Sequence, residues 1–191
     1  DKMLRAEVKS RGLDSPPEGC GISQEQWANW LADKKSQLET SAAASLAGVL
    51  SITLPEINVD DFRRAGYLPE VLVNYLSLLG WSPGGDREQF DRSFLVEQFG
   101  LDRIVKSPAK FDRSKLLAFN LDAIQAMDDD QFVVRLQAFC QDFEPEFLEA
   151  MSTHQFKLFA LSNKERSKTL RDPMDSGWFF VQSDEQIEWP M

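Results

Sequence analysis

Phe62-Arg63-Arg64-Ala65-Gly66-Tyr67-Leu68-Pro69-Glu70, continuing through Val73-Asn74-Tyr75-Leu76-Ser77-Leu78-Leu79-Gly80-Trp81-Ser82, reads as a helix with both ends marked. Pro69 suits the first helical turn, where its missing N–H costs nothing. Glu70 stands beside the positive end of the helix dipole. Leu68, Leu72, Tyr75, Leu76 and Leu79 recur at three- and four-residue spacing, which predicts one buried stripe. Gly80 falls where a helix commonly ends.

The same period runs outward in both directions. Upstream, Lys2 to Arg11 predicts a helix stopped by Gly12, and Asp14-Ser15-Pro16-Pro17-Glu18-Gly19 is a cluster of breakers. Ser23 and Gln26 form a capping-box pair ahead of a helix with Trp27, Trp30 and Leu31 on one face. An alanine-rich helix follows over about Ser41 to Leu50. Downstream, Asp60-Asp61-Phe62 opens a short helix, and Trp81-Ser82-Pro83-Gly84-Gly85-Asp86 is a turn by composition. Ser93 to Phe99 predicts another short helix ended by Gly100, and Arg103-Ile104-Val105 a brief strand. Asp112 caps a helix carrying Leu116, Leu117, Asn120, Ile124 and Met127. Phe132, Leu136, Phe139, Cys140 and Phe143 make a helical stripe, and Pro145 begins a further helix with Phe147, Leu148 and Met151. Phe156 and Phe159 continue it. The expected fold is all-α, in three parts: residues 1–57, 58–112 and 113–191. The chain holds 14 Phe, set mostly at these stripe positions, so they read as a bundle core and not as base-stacking platforms.

Composition narrows the chemistry. Hydrophobic residues make up 42% and charged residues 27% of the 191, which is ordinary for a soluble globular chain. No apolar run approaches the ~20 residues that span a bilayer. A cytoplasmic protein without a membrane partner is expected. The two cysteines, Cys20 and Cys140, match no metal spacing and read as reduced thiols. Asp128-Asp129-Asp130 reads as a helix start; consecutive aspartates are poor metal ligands. The single histidine, His154, has no nucleophile motif around it, and neither a P-loop nor a dinucleotide-binding glycine pattern occurs. No catalytic residue, metal site or cofactor is therefore assigned. The net charge of −10 counts against broad nucleic-acid binding, and no DNA partner is expected. Local basic clusters survive that balance, because charge does not fix potential beyond a Debye length of ~8 Å. They are Arg103, Lys106 and Lys110, and, further on, Lys164, Arg166, Lys168 and Arg171. The second reads more simply as a solvated face.

Three segments together carry a family resemblance. Gly66-Tyr67-Leu68-Pro69-Glu70 with Asn74-Tyr75-Leu76 and Leu78-Leu79-Gly80-Trp81-Ser82 closely resembles the segment after the catalytic core in bacterial-type glutamyl-tRNA synthetases. Ser107-Pro108-Ala109-Lys110-Phe111-Asp112, leading into Lys115-Leu116, is similar to that family's Ser-Pro-Ala-x-Phe-Asp segment. Lys168-Thr169-Leu170 followed by Trp178-Phe179-Phe180 resembles a later Lys-Thr-Leu…Phe-Phe segment. The chain departs at Asn120-Leu121, where the family has Asn-Gly, and at Ala118, where it has Trp.

The resemblance implies a class I C-terminal fragment beginning just after the Lys-Met-Ser-Lys-Arg-type ATP loop. It also implies a stem-contact module over 58–112, the first half of a helical anticodon-binding domain over 113–191, and an inserted helical piece over 1–57. The parent enzyme would join glutamate to tRNA(Glu) with ATP and magnesium. The His-x-Gly-His and ATP-loop motifs are not in this sequence, so the piece itself is expected to be an inactive, monomeric tRNA binder. Ser82 and Glu88 fall where the family approaches tRNA. Ser donates and accepts hydrogen bonds, and a carboxylate can accept from a ribose 2′-OH. Arg103, Lys106 and Lys110 adjoin them as phosphate contacts. The competing expectation is a non-catalytic helical module of the same ancestry that binds a protein.

Overall fold

The structure, a computed structural model, describes residues 2–52, 54–104 and 110–182. The chain divides into two compact units, Asp1–Glu56 and Ile57–Met191. The described residues are helices, turns and loops without a named strand, so the all-α expectation holds. An isolated antiparallel bridge between Trp81 and Ile104 stands where Arg103-Ile104-Val105 was expected to form a strand. Leu101–Arg103 instead winds into a 3-10 turn, with the Ile104 N–H bonded back to the Leu101 carbonyl at 3.3 Å. Val105 lies outside the described residues.

The first unit packs α1 (Lys2–Ser10), α2 (Gln24–Ala32) and α3 (Thr40–Val49) around Leu4, Val8, Trp27, Trp30 and Leu46. Ser23 and Gln26 form the expected capping box at the start of α2. At the other end of α2, Arg5 supplies what the helix lacks. Its guanidinium donates to the carbonyls of Trp30 at 3.0 Å, Asp33 at 3.1 Å and Lys34 at 3.2 Å, and also to that of Ser36. A cation there meets both the orphan carbonyls and the negative end of the dipole. The same group lies 4.9 Å above the Trp30 ring.

The second unit runs α4 (Val59–Arg64), α5 (Pro69–Leu78), α6 (Arg92–Gln98), α7 (Arg113–Ala126), α8 (Asp129–Phe143), α9 (Pro145–Ala150), α10 (Thr153–Lys164) and α11 (Asp172–Gly177). Asp112 caps α7 and Asp128 caps α8, each accepting from backbone N–H groups of the first turn. One core joins Phe62, Leu68, Val71 and Tyr75 to Leu116, Ile124, Phe132, Leu136, Phe156 and Phe159.

The buried face of α5 differs from the expected stripe. Leu68, Val71, Leu72 and Tyr75 are buried together with Asn74, whereas Leu76 is 44% exposed. Gly80 follows the helix without entering the left-handed region, and α5 ends through a bond from the Trp81 N–H to the Ser77 carbonyl at 3.0 Å. The glycine that geometry demands is Gly66. Its φ is +80°, and a Cβ there would lie 2.5 Å from the Arg171 backbone nitrogen. Its carbonyl accepts the Leu170 N–H at 2.9 Å. Asn120 fastens the same seam. It accepts from the Leu68 N–H at 2.8 Å and donates to the Lys168 carbonyl at 2.6 Å, and it is fully buried.

Candidate nucleic-acid interface

Ser82 begins the turn after α5. Its hydroxyl accepts the Gly84 N–H at 3.3 Å, and its own N–H donates to the Arg103 carbonyl at 3.4 Å. Arg103 returns the contact, its Nη1 donating to the Pro83 carbonyl at 3.1 Å. The structure therefore brings Ser82 and Arg103 together as one fixed corner. The Trp81 ring beneath is buried against Phe90 at 5.7 Å and Phe99 at 5.8 Å.

Glu88 lies two residues before Phe90. Its carboxylate accepts from Lys115 Nζ at 2.5 Å, with the two side chains 55% and 38% exposed. Such a half-exposed pair contributes ~0–1 kcal/mol and opens readily to a competing charge. Lys115 also approaches the Phe119 ring, at 5.6 Å. Lys110 is exposed at the approach to α7, and Lys106 lies outside the described residues. Asp112, at the start of α7, donates its N–H to the Tyr75 hydroxyl at 2.6 Å, which ties this approach to α5.

Two site residues escaped sequence reasoning. Asn74 is buried on α5, where a polar residue between Val73 and Tyr75 carries no periodic signal. Its Nδ2 donates to the Glu88 carbonyl at 2.9 Å and its Oδ1 accepts the Phe90 N–H at 3.0 Å. Lys115 was visible as a residue but not as the partner of Glu88, 27 positions away. Asn74, Phe90, Asp91 and Arg92 also line a cavity of about 250 Å³ with Pro69, Glu70, Val73 and Leu95.

The second basic cluster is built into the fold. Lys164 is buried, donating to the Met127 carbonyl at 2.5 Å and to Asp129 at 2.9 Å. Arg166 holds Asn163, and Arg171 bridges Glu144 at 2.6 Å and Asp175 at 3.6 Å. Lys164 and Arg171 are thus paired with carboxylates inside the fold, while Arg166 and Lys168 are exposed. Burial raises the Glu144 and Asp175 carboxyl groups above their ordinary values even with Arg171 present.

Burial, reinforced by Glu144 and Glu146, pushes the Cys140 thiol up to about 12, so the reactive thiolate is suppressed. His154 is exposed at the start of α10. Among the described residues no three His, Cys, Asp or Glu side chains are grouped to hold a metal ion. No described helix is long and apolar enough to cross a membrane.

Residues 52–118 match the family of class I tRNA synthetases (E and Q), catalytic domain. The glutamate–tRNA ligase of Amoebophilus asiaticus is 39% identical over 126 residues, which are 66% of this chain and 24% of that protein. The corresponding ligase of Heliobacterium modesticaldum is 53% identical over 72 residues, or 38% of this chain and 14% of that protein. The crystal structure of a glutamate tRNA ligase from Elizabethkingia meningosepticum superposes with a TM-score of 0.52 at 26% identity, covering 66% of this chain and 24% of that one. A glutamate–tRNA synthetase from Elizabethkingia anophelis shares the fold, with a TM-score of 0.52 at 19% identity over 84% of this chain and 38% of that one. The chain thus spans about a quarter of the length of curated relatives such as the first.

Proposed function

The chain is a relative of the bacterial glutamate–tRNA ligases, and from that premise we propose that its second unit is a tRNA-binding portion of such an enzyme. The observation that carries the reading is the corner at Ser82. There an arginine, Arg103, is held by its own guanidinium against the turn that presents the serine. A fixed hydroxyl beside a fixed cation suits a ribose–phosphate edge, since phosphate contacts set register and polar side chains meet sugar and base. Glu88 and Lys115 extend that edge with a carboxylate and an ammonium that can each exchange its protein partner for RNA. Lys106 and Lys110 add phosphate contacts on the neighbouring segment. ATP, magnesium and glutamate belong, on this reading, to parts of the enzyme other than these residues. The 191-residue chain alone is expected to catalyse no glutamate-dependent ATP–pyrophosphate exchange above a mock preparation.

The test is tRNA(Glu) binding by the 191-residue chain over a range of salt. Neutralising two or three phosphates predicts a log–log slope of about −2 to −3. Replacing Arg103 and Lys106 by Ala should weaken binding uniformly across tRNAs and flatten that slope. A double variant indistinguishable from the parent at low salt overturns the proposal and favours a protein partner for this surface.

A further inference from the structure

We infer that Asn74 is the positioning residue of the tRNA contact at Glu88, a step that rests on the tRNA reading above. The stretch from Asp86 to Asp91 belongs to no helix or strand. What fixes it comes from side chains of neighbouring helices. The Asn74 carboxamide reaches from α5 and makes two hydrogen bonds, to the Glu88 carbonyl at 2.9 Å and from the Phe90 N–H at 3.0 Å. This donor–acceptor pair, two residues apart on the same strand of chain, imitates the paired bonds of an antiparallel ladder. One side chain thereby replaces a whole partner strand.

Further ties come from α7. Gln89 Nε2 donates to Asp122 at 2.8 Å, and Lys115 holds the Glu88 carboxylate. These are exposed and exchange with solvent or ligand, whereas Asn74 is only 7% exposed and anchored on a rigid helix. The exposed contacts can therefore yield to RNA while the backbone of Glu88 stays in place. Phe90, gripped by the same carboxamide, packs on Trp81, the residue before Ser82. Asn74 thus sets the register of Glu88 relative to the Ser82–Arg103 corner. A side chain that binds nothing in RNA decides whether two that do are presented together.

The experiment combines tRNA(Glu) affinity, amide exchange at Phe90 and melting temperature for Asn74→Leu, Glu88→Ala, the double variant and a control, Leu72→Ala. The control loosens the core side of α5 without touching residues 88–90. Losing a hydrogen bond to a carboxylate should weaken binding about tenfold in Glu88→Ala. Asn74→Leu should match that loss and speed exchange at Phe90, and the double variant should be no weaker than Glu88→Ala. Leu72→Ala should keep parental affinity at a comparable melting temperature. A merely structural role predicts that the control loses affinity equally, which overturns the inference. So does a Phe90 amide that stays protected in Asn74→Leu, or losses that multiply in the double variant. If Phe90 opens but Glu88→Ala binds as the parent does, the assignment of Glu88 as an RNA contact is what fails, and the inference falls with it. Should Asn74→Leu not fold, Asn74→Asp replaces it. That variant keeps the acceptor for Phe90 and sets an oxygen against the Glu88 carbonyl, so it should lose affinity while Phe90 remains protected; unchanged affinity overturns the inference.

Discussion

Replacing Asn120 by Leu removes two hydrogen bonds while nearly preserving volume. The side chain is fully buried and spans the start of α5 and the segment before α11. The substitution leaves the buried Leu68 N–H and the partly buried Lys168 carbonyl without that partner. An orphaned group costs ~1–3 kcal/mol when buried, so the pair predicts a loss of about 2–6 kcal/mol. Against a typical domain stability of ~5–15 kcal/mol that is a large share. Urea unfolding followed by circular dichroism should show a lower midpoint at unchanged slope. Exchange at the Leu68 amide should accelerate before global unfolding. Asn120→Asp sharpens the test. It keeps the acceptor for Leu68 but sets a buried carboxylate against the Lys168 carbonyl, so its folded pKa should be raised. A raised acid pKa means the folded state binds the extra proton, so this variant should regain stability as pH falls from neutral toward 4, in the window between the raised folded pKa and the ordinary Asp value of ~4. An Asn120→Leu protein within ~0.5 kcal/mol of the parent, with an unchanged Leu68 amide, would refute the clasp.

Gly66→Ala should cost at least ~2 kcal/mol by thermal unfolding, since it combines a left-handed backbone with a Cβ driven into the Arg171 backbone; a melting temperature within error of the parent would contradict it. The Asp61 carboxyl is held below its ordinary value by the backbone N–H groups of Asn58 and Ile57. Its stabilisation is present above the unfolded pKa and is lost as pH falls through the folded one, so Asp61→Asn should flatten the acid limb of the stability–pH curve. The native Cys140 thiol, pushed up to about 12, should resist a thiol reagent at pH 8 and react on unfolding.

The helix ends were legible because their signals are local. Ser23 with Gln26, Asp112 and Asp128 each find their backbone partners within three residues. The buried face of α5 was less so. Val71, Leu72, Val73, Leu76 and Leu78 place apolar groups nearly all round the helix, and only the tertiary partners α6 and α7 decide that Val71 is buried and Leu76 is not. The strand expected at Arg103-Ile104-Val105 rested on β-branched residues, but with one bridge to Trp81 it gains no ladder. At the candidate interface, the turn around Ser82 is compositional and could be read. The grips of Asn74 on residues 88–90 and of Asn120 on Leu68 and Lys168 could not, because hydrogen bonds 14 to 52 positions apart leave no periodic trace.

The seam at Gly66 also sets an order of events during synthesis. Leu170 closes on Gly66 through backbone alone, with Asn120 clasping the same seam. Those strands of chain leave the ribosome about a hundred residues apart, on the order of 5–20 s at ordinary translation rates. The first unit, whose core draws only on residues up to 54, is complete well before then. The second can pack α5 against α6 and α7 as they emerge, but its Gly66 seam stays open until Leu170 arrives.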